Sequence, residues 1–226
     1  MSGILYGVGV GPGDPELLTI KAVKTIEKCA VVAIPKTKEK STLAFDIASG
    51  VCDMSAKEIL ELNFLMTRDK ELLHKSHMDV ANQIKNCLDA GQDVAMLNLG
   101  DVSVYSTFSY IMEMLEEEGY YVEMIPGITS FCAVAATLGT SLTTMHKPLH
   151  IFPAGQLEDI LPLEGTKVVM KSGSAIGAVK EYLKQEASNQ QIMAVSNCGL
   201  PNEVVCKTVE DISDDLSYFT TIIIKD

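Results

Sequence analysis

Three apolar runs in the first part of the chain each end in a glycine-bearing turn that opens onto a helical pattern. Ile4–Val10 runs into Gly11-Pro12-Gly13-Asp14, after glycines at 7 and 9. Asp93–Leu99 runs into Gly100-Asp101-Val102-Ser103-Val104-Tyr105, and Tyr121–Ile125 into Pro126-Gly127-Ile128-Thr129-Ser130. Strand, tight turn and helix in succession are the units of a mostly parallel α/β sheet. The mostly apolar Asp93–Leu99 run fits a strand covered on both faces. In such a sheet ligands bind beyond the carboxyl ends of the strands, the edge on which all three turns would lie.

Helical signals fill the gaps. Asp14 offers an N-cap, Pro15 suits a first helical turn and Glu16 suits the positive helix end. Leu18, Ala22, Ile26 and Cys29 follow at helical spacing. A second strand is expected at Ala30–Pro35 and a helix at Thr42–Ala48. A long helix is expected from Thr67 to Ala90, with Leu73, His77, Val80, Ala81, Ile84 and Leu88 on one side and Gly91 as its stop. Helices are also expected at Phe108–Glu118 and Ser130–Leu138. Beyond about residue 147 strands dominate: Leu149–Pro153, Lys167–Met170, Ile192–Ser196, Val204–Val209 and Thr220–Lys225, with one helix around Ala175–Glu186. The expected architecture is therefore two α/β domains, 1–123 with a mostly parallel sheet and 124–226 with a mixed one.

The glycines of the first turn do not make a phosphate cradle. A G-x-G-x-x-G register from Gly7 or Gly9 meets Pro12 or Asp14 where it needs glycine, and no Gly-Lys-Ser/Thr follows. Asp14 and Glu16 also stand where a phosphate would sit and would repel it. Two readings remain: backbone brought close to a neutral or positive ligand, or a tight strand–helix connection with no ligand.

Charge narrows the partners. With 30 acidic against 18 basic residues, a net charge of −12 and no basic block, the chain is a poor nucleic-acid binder. No apolar run reaches the ~18 residues that cross a bilayer, and MSGILYGVGV lacks signal-peptide features, so a cytoplasmic protein is expected. The six cysteines are scattered without a C-x-x-C pair, and His74 and His77 read as a surface pair. No metal site is expected.

GVGVGPGDPELLT, LGDVSVYSTF and IPGITSFCAVAATLG, in that order and over more than half the chain, resemble the tetrapyrrole methylase family. Its members move a methyl group from S-adenosylmethionine to corrin precursors. The usual Gly-Asp-Pro of the family stands here as Gly100-Asp101-Val102, a departure that touches loop shape. ELNFLMTRDKELL (61–73) and YFTTIIIKD look most like the members that methylate C-20 of precorrin-2 or cobalt-factor II. The resemblance implies a homodimer and a cofactor folded into a cleft between the two domains, the first facing substrate and the second completing the cofactor site. It places Pro12, Gly100, Asp101, Val104, Tyr105, Thr129 and Ser130 along the cofactor's path, with Met170, Asn197, Phe219 and Thr220 as contacts in the second domain.

A sulfonium methyl is already electrophilic, so such a site needs positioning and exclusion of water rather than a protein nucleophile. That agrees with the absence of a recognisable triad. Methylation at C-20 displaces a proton, and Asp101 is the candidate base; the other reading of Asp101 is a loop clamp. Tyr105 and Tyr218 either orient the macrocycle or are core aromatics with a polar tip. Lys36, Lys38, Lys40 and Lys147, with His146 beside the last, are candidate partners for substrate carboxylates, or ordinary solvated lysines. Three other functions remain in view: methylation at another tetrapyrrole carbon, methylation of RNA or protein, and nucleoside binding without reaction.

Overall fold

The computed structural model describes residues 2–35, 42–65, 67, 69–172, 175–187 and 189–226. The chain divides into two compact units, Met1–Thr129 and Ser130–Asp226.

In the first unit, β1 (Leu5–Gly9), β2 (Val31–Pro35), β3 (Glu58–Leu62), β4 (Val94–Asn98) and β5 (Val122–Ile125) form one sheet. Its order is β3-β2-β4-β1-β5 and every pairing is parallel. Side chains alternate between two cores, as the pleat requires. Leu5, Val31, Val94 and Met96 pack with α3 (Lys70–Asp89) and α4 (Phe108–Glu117). Tyr6, Val8, Val32, Ala95 and Leu97 pack on the other face with α1 (Ile20–Lys28) and α2 (Leu43–Ser49). β1 and β4 are buried along their whole length, which explains their mostly apolar sequence. The compact units divide after Thr129, and β5, which pairs with β1, lies wholly in the first.

Local chemistry sets the helix ends. Asp14 caps only a 3-10 turn, Pro15–Leu17, accepting from the Glu16 amide at 2.9 Å. α1 itself starts at Ile20, where Thr19 Oγ1 accepts from the Ala22 amide at 3.1 Å. The expected helix start at Asp14 is thus corrected, and Asp14 and Glu16 guard a turn rather than the N-terminus of α1. Asp69 caps α3 through the amides of Glu71 and Leu72. β3 was not expected: its Glu58-Ile59-Leu60-Glu61-Leu62 run lies at the sheet's edge, with only Leu62 fully buried, and carries no strong strand pattern.

The second unit holds α5 (Ser130–Thr137), β6 (Leu149–Pro153), α6 (Leu157–Ile160), β7 (Thr166–Met170), α7 (Ile176–Glu186), β8 (Gln191–Ser196), β9 (Val204–Cys206) and β10 (Thr220–Lys225). The sheet order is β6-β7-β10-β8-β9; β6 and β7 are parallel and the other pairs antiparallel, the mixed sheet expected. Phe152, Val169, Ala194, Ile222 and Ile224 pack against Leu157 of α6 and Ile176, Val179 and Leu183 of α7. β9 ends at Cys206, short of the expected Val209, because Asp211 takes the amides of Lys207 and Thr208 into a turn.

Candidate active site

The glycines at the carboxyl edge of the first sheet make room for each other. A Cβ on Gly9 would lie 2.7 Å from both the Gly100 oxygen and the Gly127 nitrogen, and one on Gly127 only 2.2 Å from the Gly100 oxygen. One on Gly7 would enter the Phe108 ring. Gly11 and Gly100, at φ 81 and 73, exchange both backbone hydrogen bonds, at 3.1 and 2.8 Å. Of the two readings open for this loop, the tight connection accounts for Gly7 and Gly9: what comes close there is protein. The three turns do form one cluster. After β1 the chain crosses toward β2, and after β4 it crosses toward β5, so the β1/β4 pair is the topological switch point. The Gly11–Gly100 bridge closes the crevice there.

Asp101 locks the cluster. Its Oδ2 accepts from the Gly127 amide at 2.8 Å, and its Oδ1 accepts from the Ser103 amide at 2.9 Å and from the Ser103 hydroxyl. Burial pushes the carboxyl up, but the Ser103 hydroxyl and the two amides outweigh it and hold it below the usual carboxylate range. A carboxylate so engaged is a weak base and a strong clamp. Beneath it, Asn98 at the end of β4 accepts from the Ser106 hydroxyl at 2.8 Å, and Ser106 Oγ in turn accepts from the Phe108 amide that opens α4. Sequence reasoning missed Asn98, Ser103 and Ser106; the signal was a lone amide at the end of an apolar strand. Val102, in place of the expected proline, is 2% exposed and packs into the core.

Around this clamp, Pro12 is buried, Val104 half-buried, and Tyr105 is held at φ 50 with its ring 45% exposed. The Thr129 hydroxyl is buried and has no hydrogen-bond partner among the described residues. An unpaired buried hydroxyl costs about 1–3 kcal/mol, so a polar group supplied by a ligand fits there.

In the second unit the expected contacts share one edge. Met170 ends β7, Asn197 follows β8, and Phe219-Thr220 leads into β10 between them; the Asn197 amide donates to the Phe219 oxygen at 3.1 Å. Asn197 and Lys171 both have positive φ, 53 and 57. With Tyr105 they are the non-glycine residues in that region among the described residues, and such strain marks functional sites. Tyr218 and Phe219 are about half exposed and meet edge-to-face at 5.5 Å. The Thr220 hydroxyl is committed inside the unit, donating to the Ser217 oxygen at 2.6 Å and lying 3.0 Å from Ser196 Oγ. Ser130 Oγ accepts from Thr221 at 3.4 Å.

Residues 4–212 match the family model of the Tetrapyrrole (Corrin/Porphyrin) Methylases. The chain belongs to this family. It is 38% identical over 170 residues to the Methanocaldococcus jannaschii protein named "Probable cobalt-precorrin-2 C(20)-methyltransferase", covering 74% of this chain and 72% of that one. It is 26% identical over 231 residues to the cobalt-precorrin-2 C(20)-methyltransferase of Salmonella typhimurium, covering 99% and 97%. The uroporphyrin-III-C-methyltransferase of Thermus thermophilus superposes with a TM-score of 0.71 at 23% identity, covering 100% of this chain and 93% of that one. Two α/β sheets, one parallel and one mixed, are thus the tetrapyrrole methylase fold.

The candidate substrate contacts of this tetrapyrrole methylase are less defined. Lys36, Lys38 and Lys40 lie outside the described residues, and Lys147 is exposed. His77 is 4% exposed, stacked on Tyr110 at 4.9 Å, which corrects the surface-pair reading. Among the described residues no cluster of His, Cys, Asp and Glu has the grouping to hold a metal, and no helix is long and apolar enough to cross a membrane.

Proposed function

We propose that this tetrapyrrole methylase transfers a methyl group from S-adenosylmethionine to C-20 of a corrin precursor, precorrin-2 or its cobalt chelate. The observation that carries the reading is similarity to proteins whose names carry cobalt-precorrin-2 C(20)-methyltransferase, over 74% of the chain for one and 99% for the other. The geometry agrees with it. The loop cluster offers backbone, hydroxyls and one fully engaged carboxylate, a set suited to positioning and ill suited to nucleophilic attack.

S-adenosylmethionine, when bound, supplies the electrophilic methyl on a cationic sulfur. The residues proposed to hold it are Pro12, Gly100, Asp101, Val104, Tyr105, Thr129 and Ser130, with Met170, Asn197, Phe219 and Thr220 in the second unit. The unpaired Thr129 hydroxyl is the strongest single indication among them. Asp101 fixes the loops through Gly127, and its low pKa argues against a role as the proton acceptor. Tyr105 and Tyr218 are proposed to orient the macrocycle, and Lys147 to meet a substrate carboxylate. A cytoplasmic homodimer is part of the same reading, and light scattering of the purified protein tests the dimer.

The relatives' names favour the cobalt form of the substrate. Anaerobic assay of precorrin-2 and cobalt-factor II side by side, with the new methyl located by NMR, decides both points. Transfer to another carbon, or to neither substrate, would overturn the reading.

A further inference from the structure

The stretch after β3 sits at the carboxyl edge of the first sheet and is held more firmly than a connection requires. Ser76, 8% exposed on α3, accepts from the Leu65 amide at 3.0 Å and donates to the Asn63 oxygen at 3.3 Å through the same hydroxyl. Phe64 packs on the first core and lies edge-on to His77, ring centres 6.3 Å apart. His77 in turn stacks on Tyr110 of α4 at 4.9 Å. Two residues of one helix, Ser76 and His77, therefore grip three consecutive residues of the loop, Asn63 and Leu65 by their backbone and Phe64 by its aromatic ring.

What this grip presents is apolar. Phe64 turns inward, while its neighbour Leu65 leaves 44% of its surface in solvent. A single exposed leucine is ordinary. This one has its backbone hydrogen-bonded to a buried serine of α3, beside a ring packed on a buried histidine, at the carboxyl edge of the sheet. β3 pairs with β2 and β2 with β4, so the end of β3 stands two strand spacings, about 10 Å, from the end of β4 where Gly100-Asp101 begins. A four-pyrrole ring whose reacting carbon lies by the Gly100 loop reaches that far along the edge.

We infer that Leu65 is a substrate contact, an apolar rest for the face of the tetrapyrrole, and that Ser76 and His77 are positioning residues that set its height. This deepens the proposed methylase reading and rests on it. The contact is specific to substrate: the cofactor's proposed residues lie on other loops.

The test uses the full chain, S-adenosylhomocysteine as cofactor probe, and the tetrapyrrole the wild type methylates. Leu65→Ala removes surface that is already half in solvent, so its Tm should match wild type within about 2 °C. Its KM for tetrapyrrole should rise about fivefold or more, with the dissociation constant of S-adenosylhomocysteine unchanged. Ser76→Ala should show the same split, and Ser76→Thr, which keeps the hydroxyl, should recover most of it. Equal KM in Leu65→Ala and wild type overturns the inference, whatever Ser76→Ala does to folding. If wild type binds S-adenosylhomocysteine but methylates no tetrapyrrole, the methylase reading fails first and this one with it.

Discussion

Replacing Asp101 by asparagine separates the two roles a strand-end carboxylate can play. The native side chain accepts from the Gly127 amide, the Ser103 amide and the Ser103 hydroxyl. An asparagine keeps one oxygen, which can still serve Ser103. Its amide nitrogen then faces the Gly127 N–H, donor against donor. The loss is one charge-assisted hydrogen bond, worth about 1.5–3 kcal/mol, together with a poorly satisfied amide at the tightest point of the loop cluster. A net cost of about 2–3 kcal/mol at pH 7 follows, a fall in Tm of roughly 5–12 °C for a unit of this size.

The pH dependence has a fixed sign. The folded state holds the Asp101 carboxyl below its ordinary value, so its contribution is complete above the unfolded pKa of about 3.9. It is lost as pH falls through the lower folded pKa. Thermal melts of wild type and Asp101→Asn should therefore differ fully at pH 7 and converge below pH 4. A clamp also predicts a modest loss of kcat, about tenfold, through loosened loops. A variant with wild-type Tm and a kcat lowered a thousandfold would refute the clamp and restore Asp101 as the base.

Three shorter predictions follow from the same geometry. Gly9→Ala drives a methyl to 2.7 Å from two backbone atoms that cannot yield, so it should express mostly as insoluble protein, whereas Gly119→Ala, with nothing within 4 Å but φ 86, should cost only about 1–2 kcal/mol by chemical denaturation. Lys167 is 1% exposed and paired with Asp226 at 2.7 Å; Asp226→Asn should cost about 3 kcal/mol in urea unfolding, and the double variant with Lys167→Met should regain most of it. Tyr105→Gly exchanges the strain of φ 50, about 1–2 kcal/mol, for contacts of a ring already 45% exposed, so Tm should hold within a few degrees while methyl transfer falls at least tenfold.

The strands and turns were legible because each carries its own signal. Asp93–Leu99 is apolar from Val94 to Leu97 since β4 is central, and Gly91, Gly119 and Gly127 punctuate as they should. β3 was not legible, because an edge strand with one buried side chain needs no alternation that a reader could find. The start of α1 was misplaced for a related reason: Asp14-Pro15-Glu16 is sound helix-start chemistry, and it was spent on a 3-10 turn. The site was legible in part. Gly100, Asp101 and Thr129 stand at one edge as expected, but the Asn98–Ser106 support beneath them is a contact across eight residues that no local pattern encodes.

The glycines teach the larger point. A run of them after a strand says that something approaches the backbone, and the natural guess is a ligand. Here the approaching group at Gly9 and Gly127 is the Gly100 carbonyl. Two turns pressed so close cannot slide independently, and Asp101 adds a bond between the second turn and the third. The result is a rigid platform at a switch point whose crevice is shut. A shut crevice does not suit the pyrophosphate geometry of dinucleotide enzymes, and it agrees with the proposal that the cofactor lies over the loops. Rigidity is what in-line methyl transfer demands, since the reaction gains from alignment rather than from any group the protein donates. In the proposed methyl transfer the glycines would serve the chemistry at one remove, by fixing the loops that carry Tyr105 and Thr129.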